Sequence, residues 1–153
     1  MTGHGDTHRV ETEIASIFEQ AGNFQEELQA SLARYACVLA SSYLEAAFRE
    51  LLVSYARARA NDSVFKYVDS TLGTFRDPNM EKILQLVGRF NSEYRRSLEV
   101  QTAGRLKDSV DSICANRNNI AHGRRSGISL GQVRAYFEDA KAVVSKTRAI
   151  MEA

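Results

Sequence analysis

Residues Arg117 to Gly123 read RNNIAHG. The segment sets a permanently charged guanidinium five residues ahead of His122, the one histidine outside the amino-terminal stretch that holds His4 and His8. Histidine ordinarily titrates at about pH 6.5, so it can take or give a proton near neutrality. Arginine is a planar partner for phosphate that never loses its charge. Together they supply what attack by an RNA 2′-hydroxyl on its own phosphodiester needs: a group that moves protons, and positive charge against the developing phosphorane. That chemistry calls for no external nucleophile, metal or cofactor. DNA, which lacks the 2′-hydroxyl, is excluded from it.

The element carrying these residues is a helix with Leu106, Val110 and Ile113 on one face. The next positions on that face are 117 and 120. Ile120 continues the stripe, but residue 117 is arginine, and a charge facing a core is costly unless a polar crevice or an anion receives it. Arg117 is therefore expected to enter a groove or an interface. On a straight helix, five residues turn the chain by about 140° beyond one full revolution, so Arg117 and His122 diverge. Either the helix stops at Gly123 with a left-handed cap that lets the histidine swing, or a second subunit completes the site. Asn118, four residues before His122, shares its face and is placed to orient the imidazole by a hydrogen bond. Arg124 and Arg125 follow in the loop GRRSGI. From Gly104 to Arg134 six basic residues stand against two acidic ones, whereas the whole chain carries a net charge of +1. A polyanion is drawn to this end. The spacing alone is weak, since with this composition it arises about 0.3 times by chance; the helix end, the stripe position and the basic loop give it weight.

The remaining sequence describes a scaffold of helices. The 153 residues suffice for one domain with a sizeable core, and 44% hydrophobic with 25% charged residues fits a globular chain. Residues 1–9 read as a polar, flexible tail and 10–153 as a single helical domain. Apolar residues recur at helical spacing from Val10 to Ala21, then from Leu28 to Tyr55, ending near Ala60. Asn61 or Asp62 caps a helix carrying Val64, Phe65, Val68 and Leu72. Asp77 before Pro78 reads as an N-cap with proline in the first turn of a helix bearing Ile83, Leu86, Val87 and Phe90. Residues 91–102 look less regular. The last helix starts at a capping box, Ser129 with Gln132, closed by an Ile128–Val133 staple. No strand alternation appears, and the expected fold is an all-α up-and-down bundle of about five or six helices.

Several other features are weighed and set aside. Cys37 and Cys114 read as packed thiols in a reducing compartment. No secretory h-region and no membrane-length apolar run is visible, so the expected location is cytoplasmic. His4, Asp6 and His8 suggest a metal cluster, but no metal site is assigned to so polar a terminus. Glu45 is either a cleft acid assisting His122 or, the favoured reading, an exposed acid or partner of Arg49. Tyr35, Tyr43, Tyr55, Tyr67 and Tyr136 are read as core rather than base-stacking residues, and Arg57, Arg59, Arg95 and Arg96 as solvated.

Arg-Asn-x-x-x-His followed by glycine, late in a helical domain, resembles the motif of the HEPN superfamily. The segments LLVSYARARAN, FKYVDSTL, EKILQLVGRFNSEYRRSL and RNNIAHGRRSGISLGQV, followed by YFEDAK, resemble its RiboL-PSP branch in order and spacing from about Leu28 to Val144. The resemblance implies a HEPN-like fold and a homodimer whose two motifs share one composite active site. It implies an endoribonuclease of toxin–antitoxin or phage-defence systems, with Arg117 and His122 catalytic, Asn118 at the motif's polar position, and an antitoxin or regulatory protein as a possible partner. Arg124 and Arg125 would guide the RNA substrate. The alternative class is a non-catalytic RNA- or nucleotide-binding or dimerisation module that regulates a partner protein.

Overall fold

The structure is a computed structural model that describes residues 3–23 and 25–153, with side chains for residues 5–22 and 25–153. Among the described residues there are seven α-helices and no strand: α1 (Gly3–Gln20), α2 (Glu26–Arg59), α3 (Asp62–Leu72), α4 (Met80–Phe90), α5 (Ser92–Thr102), α6 (Arg105–Ala121) and α7 (Leu130–Glu152). The all-α bundle matches the sequence expectation. Its helix count exceeds it by α5, which falls in the stretch read as irregular. That helix buries only Leu98 and Thr102, too few positions to draw an apolar stripe in the sequence.

Helix α2 is the spine. Its 34 residues run without interruption, roughly 50 Å at the usual rise per residue, and it packs against α1, α3, α6 and α7. Cys37, Ala40, Leu44, Phe48 and Leu52 are wholly or almost wholly buried along it. They meet Ile83 and Val87 of α4, Val110 and Ile113 of α6, and Val133, Phe137 and Val144 of α7 in one continuous core.

Helix α1 begins at Gly3, inside the stretch expected to be a loose tail and ahead of the expected start at Val10. Tertiary contacts explain the extension. Val10 and Ile14 are buried, the Thr7 hydroxyl donates to Glu50 of α2 at 2.7 Å, and the Tyr35 hydroxyl donates to the carboxylate of Glu13. A polar helix face with such partners reads as a tail in sequence.

Helix α4 starts later than Asp77–Pro78 suggested. Its N-cap is Asn79, whose side chain accepts from the Lys82 N–H at 2.8 Å. Asp77 instead adopts a positive φ of 48°, and Pro78 is buried.

Helix α7 begins as its sequence states. The Ser129 hydroxyl accepts from the Gln132 N–H at 3.1 Å, and the Gln132 side chain accepts from the Ser129 N–H at 2.9 Å. Ile128 and Val133 are both buried, closing the staple. Replacing Ser129 by alanine leaves the Gln132 N–H without its partner. The variant should lose about 1 kcal/mol of stability, seen as a lower denaturant midpoint with an unchanged slope.

Candidate functional site

Helix α6 buries Leu106, Val110 and Ile113, which rotates Arg117 toward the loop between α3 and α4. That loop supplies the anion the stripe position demanded. Arg117 Nη1 lies 3.1 Å from Asp77 Oδ1, with about one third of each side chain exposed (33% and 31%). Asp77 Oδ1 is itself buried and makes no aligned hydrogen bond, so the two groups meet as close charges while the guanidinium N–H vectors point elsewhere.

Asp77 is pinned by its backbone. Its N–H donates to Glu45 Oε1 of α2 at 2.7 Å. Its carbonyl accepts from the Cys114 thiol at 3.4 Å and from Lys82 Nζ at 3.4 Å. On either side, the Phe75 carbonyl accepts from Arg49 at 3.4 Å, and the Met80 N–H donates to Asp111 of α6 at 2.9 Å. Glu45 therefore serves neither as an intrahelical partner of Arg49 nor as a simple exposed acid. It holds the loop that faces Arg117.

His122 occupies the C-cap of α6 with φ −95° and ψ 12°, its N–H bonded to the Asn118 carbonyl at 3.1 Å. Gly123 follows at φ 67°. Its N–H donates to Ile120 O at 3.2 Å, and the Arg124 N–H donates to Asn119 O at 2.7 Å. This pair of bonds is a Schellman turn, the left-handed cap expected from the glycine. The imidazole is exposed and, among the described residues, has no hydrogen-bonded or ionic side-chain partner. Because α6 stays helical through Ala121, the divergence of about 140° between Arg117 and His122 persists, and one protomer does not bring the two together.

Asn118 is placed differently from expectation. Its side-chain N–H donates to Cys114 Sγ at 3.8 Å, not to the imidazole. Arg124 and Arg125 are exposed and form no ion pair among the described residues. The loop carrying them is tied back to α6 by the Ser126 hydroxyl, which donates to Asn116 Oδ1 at 2.7 Å, while Asn116 donates to Ser112 O at 2.8 Å. The other cations of the basic span are occupied: Lys107 by Asp111 at 2.8 Å, Arg105 by Asp139 at 3.4 Å, and Arg134 over the Phe18 ring at 5.9 Å.

The residues set aside from sequence are mostly where packing put them. Tyr43 packs on Phe137 and Tyr55 on Phe90, and Tyr136 packs against the core. Tyr35 and Tyr67 are the exceptions, 46% and 75% exposed. The four arginines are engaged rather than simply solvated. Arg57 lies over Phe65 at 3.8 Å and Arg59 over Tyr55 at 3.9 Å, Arg95 pairs with Glu81 at 2.9 Å, and Arg96 with Glu93 at 2.8 Å. Cys37 and Cys114 are buried free thiols. Burial pushes Cys37 up to about 11. It also raises Cys114, with Lys82 and Arg117 opposing the rise, so neither is a ready thiolate near neutrality. Among the described residues no three His, Cys, Asp or Glu side chains are grouped to hold a metal ion; the side chain of His4 lies outside them. No described helix is long and apolar enough to cross a membrane.

A sequence model of the RiboL-PSP-HEPN family matches residues 6–153, which includes α6 with both motif residues. Comparison with curated proteins and with solved structures finds no match.

The Schellman turn makes a direct prediction. A Cβ at position 123 meets nothing within 4 Å, so Gly123→Ala is opposed by backbone conformation alone. The variant should lose about 1–2 kcal/mol, and the His122 amide and imidazole resonances should shift in NMR spectra while those of α1 do not.

Proposed function

Because this chain belongs to the RiboL-PSP-HEPN family, we propose that it is a metal-independent endoribonuclease cleaving single-stranded RNA as a homodimer, serving as a toxin or phage-defence effector. The observation that carries the reading is the end of α6: a half-buried guanidinium five residues before an exposed C-cap imidazole, followed by two arginines without an ion pair among the described residues.

His122 works on protons. It stands exposed at the C-cap of α6, within reach of a bound strand, and donates to the leaving 5′-oxygen. Arg117 stabilises the charge that builds on the phosphorane as the 2′-oxygen attacks. The 2′-hydroxyl gives its proton to the second histidine of the dimer's cleft, the bond from phosphorus to the 5′-oxygen breaks as the bond to the 2′-oxygen forms, and protonation of the leaving oxygen by the first leaves a 2′,3′-cyclic phosphate and a 5′-hydroxyl. Arg124 and Arg125, exposed beyond the turn, draw in the strand by its phosphates. Asn118 frames the helix end from the same face as His122.

The divergence of Arg117 from His122 within one protomer supports the dimer. Two copies meeting through this end of α6 bring two arginines and two histidines to one cleft, which a single helix cannot do.

The test is cleavage of labelled single-stranded RNA by purified protein in excess chelator. Cyclic-phosphate products, no cleavage of the matching DNA, and a loss of about 10²–10⁴-fold in His122→Ala with an unchanged melting temperature are expected. Cleavage that needs added metal, or a His122→Ala variant cutting at the wild-type rate, overturns the assignment. Salt-dependent RNA binding without turnover favours the alternative of a binding module that regulates a partner protein.

A further inference from the structure

Resting on the ribonuclease reading, we infer that Asp77 is the positioning residue for Arg117, and that Glu45 of α2 fixes Asp77 for that task. The α3–α4 loop has no sequence motif in common with the end of α6, yet it delivers one carboxylate oxygen to 3.1 Å from the Arg117 guanidinium.

Three independent features point to positioning rather than incidental pairing. The backbone at Asp77 is held at φ 48°, a conformation that L-residues other than glycine adopt at some cost. Its N–H and C=O are both occupied, by Glu45 at 2.7 Å and Cys114 at 3.4 Å, so the carboxylate cannot drift with the loop. Its Oδ1 is buried without an aligned hydrogen bond, although an arginine fork ordinarily meets a carboxylate through parallel N–H···O bonds.

The consequence is specific. An arginine engaged by a full fork would have its donors consumed and would resist a second anion. One held mainly by charge keeps its N–H groups available for a phosphate while its long side chain loses rotamer freedom in advance. Asp77 thus fixes where the guanidinium waits, and a phosphodiester arriving on its free side shares it. Lys82 and Arg49 offset the added negative charge of Glu45 and Asp77, since both reach carbonyls of the same loop.

The experiment compares wild type, Asp77→Asn, Arg117→Ala and the double variant on a labelled single-stranded RNA, with the single-turnover rate and the dissociation constant measured separately. Asp77→Asn keeps the shape and the backbone bonds and removes the charge. We expect its rate at saturating RNA to fall about 10–100-fold with affinity within about twofold of wild type. The double variant should be no slower than Arg117→Ala, because two residues acting as one unit do not add. Asp77→Asn at the wild-type rate, or losses that multiply in the double variant, overturns the inference. If wild-type protein does not cleave RNA, the ribonuclease reading has failed, and positioning is read without RNA from the rate of dicarbonyl modification of Arg117, followed by mass spectrometry at equal melting temperature. Several-fold faster modification in Asp77→Asn supports the inference; equal rates overturn it.

Discussion

A guanidinium on the core-facing stripe of a helix has to be received by an anion, and the meeting of Arg117 with Asp77 is how this chain satisfies that demand. Apolar residues at 106, 110 and 113 fix the rotation of α6 against α2 and α7. Once they are buried, the direction of residue 117 is no longer free. Leaving its charge in that half-exposed groove without a partner would be unfavourable. The α3–α4 loop takes its shape around that requirement, turning through a positive φ at Asp77 and anchoring itself on Glu45, Cys114 and Asp111. The loop and the end of α6 are therefore one structural unit, although some forty residues separate them in sequence.

The second constraint is the way α6 ends. The Schellman turn at Gly123 satisfies the carbonyls of Asn119 and Ile120 and turns the chain sharply away from the helix axis. His122 is left on the outer rim and Arg124 and Arg125 beyond it, all exposed. The rim is stiffer than a free loop, because the Ser126–Asn116 bond ties it back to the helix. The guanidinium is thus sheltered and the imidazole presented on the same element, and this divergence is what the proposed dimer would resolve.

Much of this was legible in the sequence, and what was not has a common cause. The last helix could be read in full because a capping box and a staple are local: the residues that make the bonds lie within five positions of each other. Gly123 was legible for the same reason. The burden on Arg117 was visible as a charge in an apolar stripe, but its partner was not. Asp-Pro reads locally as a helix start, and only tertiary anchors from α2 and α6 convert Asp77 into a counter-ion. Glu45 was noticed and misjudged because an arginine four residues on, at position 49, is the obvious local partner. Asn118 was expected to reach the imidazole from the same face and instead bonds one turn back, to Cys114. Helix α5 left too faint a stripe, and the first turns of α1 are held by polar contacts that hydrophobic periodicity does not register.

Charge pairing also decides where a polyanion can approach. The chain as a whole is nearly neutral, so no long-range field favours RNA over other partners. Nor is the basic excess of the span 104–134 uniformly available. Arg105, Lys107 and Arg117 face carboxylates, and Arg134 leans on an aromatic ring. The cations of that span without a carboxylate among the described residues are Arg124 and Arg125, next to His122 at the rim, and Arg134 at the start of α7. On the proposed reading, a strand held there by its phosphates would lie against the imidazole before it reached Arg117, whose charge is answered by Asp77 while its N–H donors are not. Carboxylate pairing thus concentrates the free positive charge toward the rim, with the Arg117 guanidinium five residues back along α6, where the proposed reading needs it.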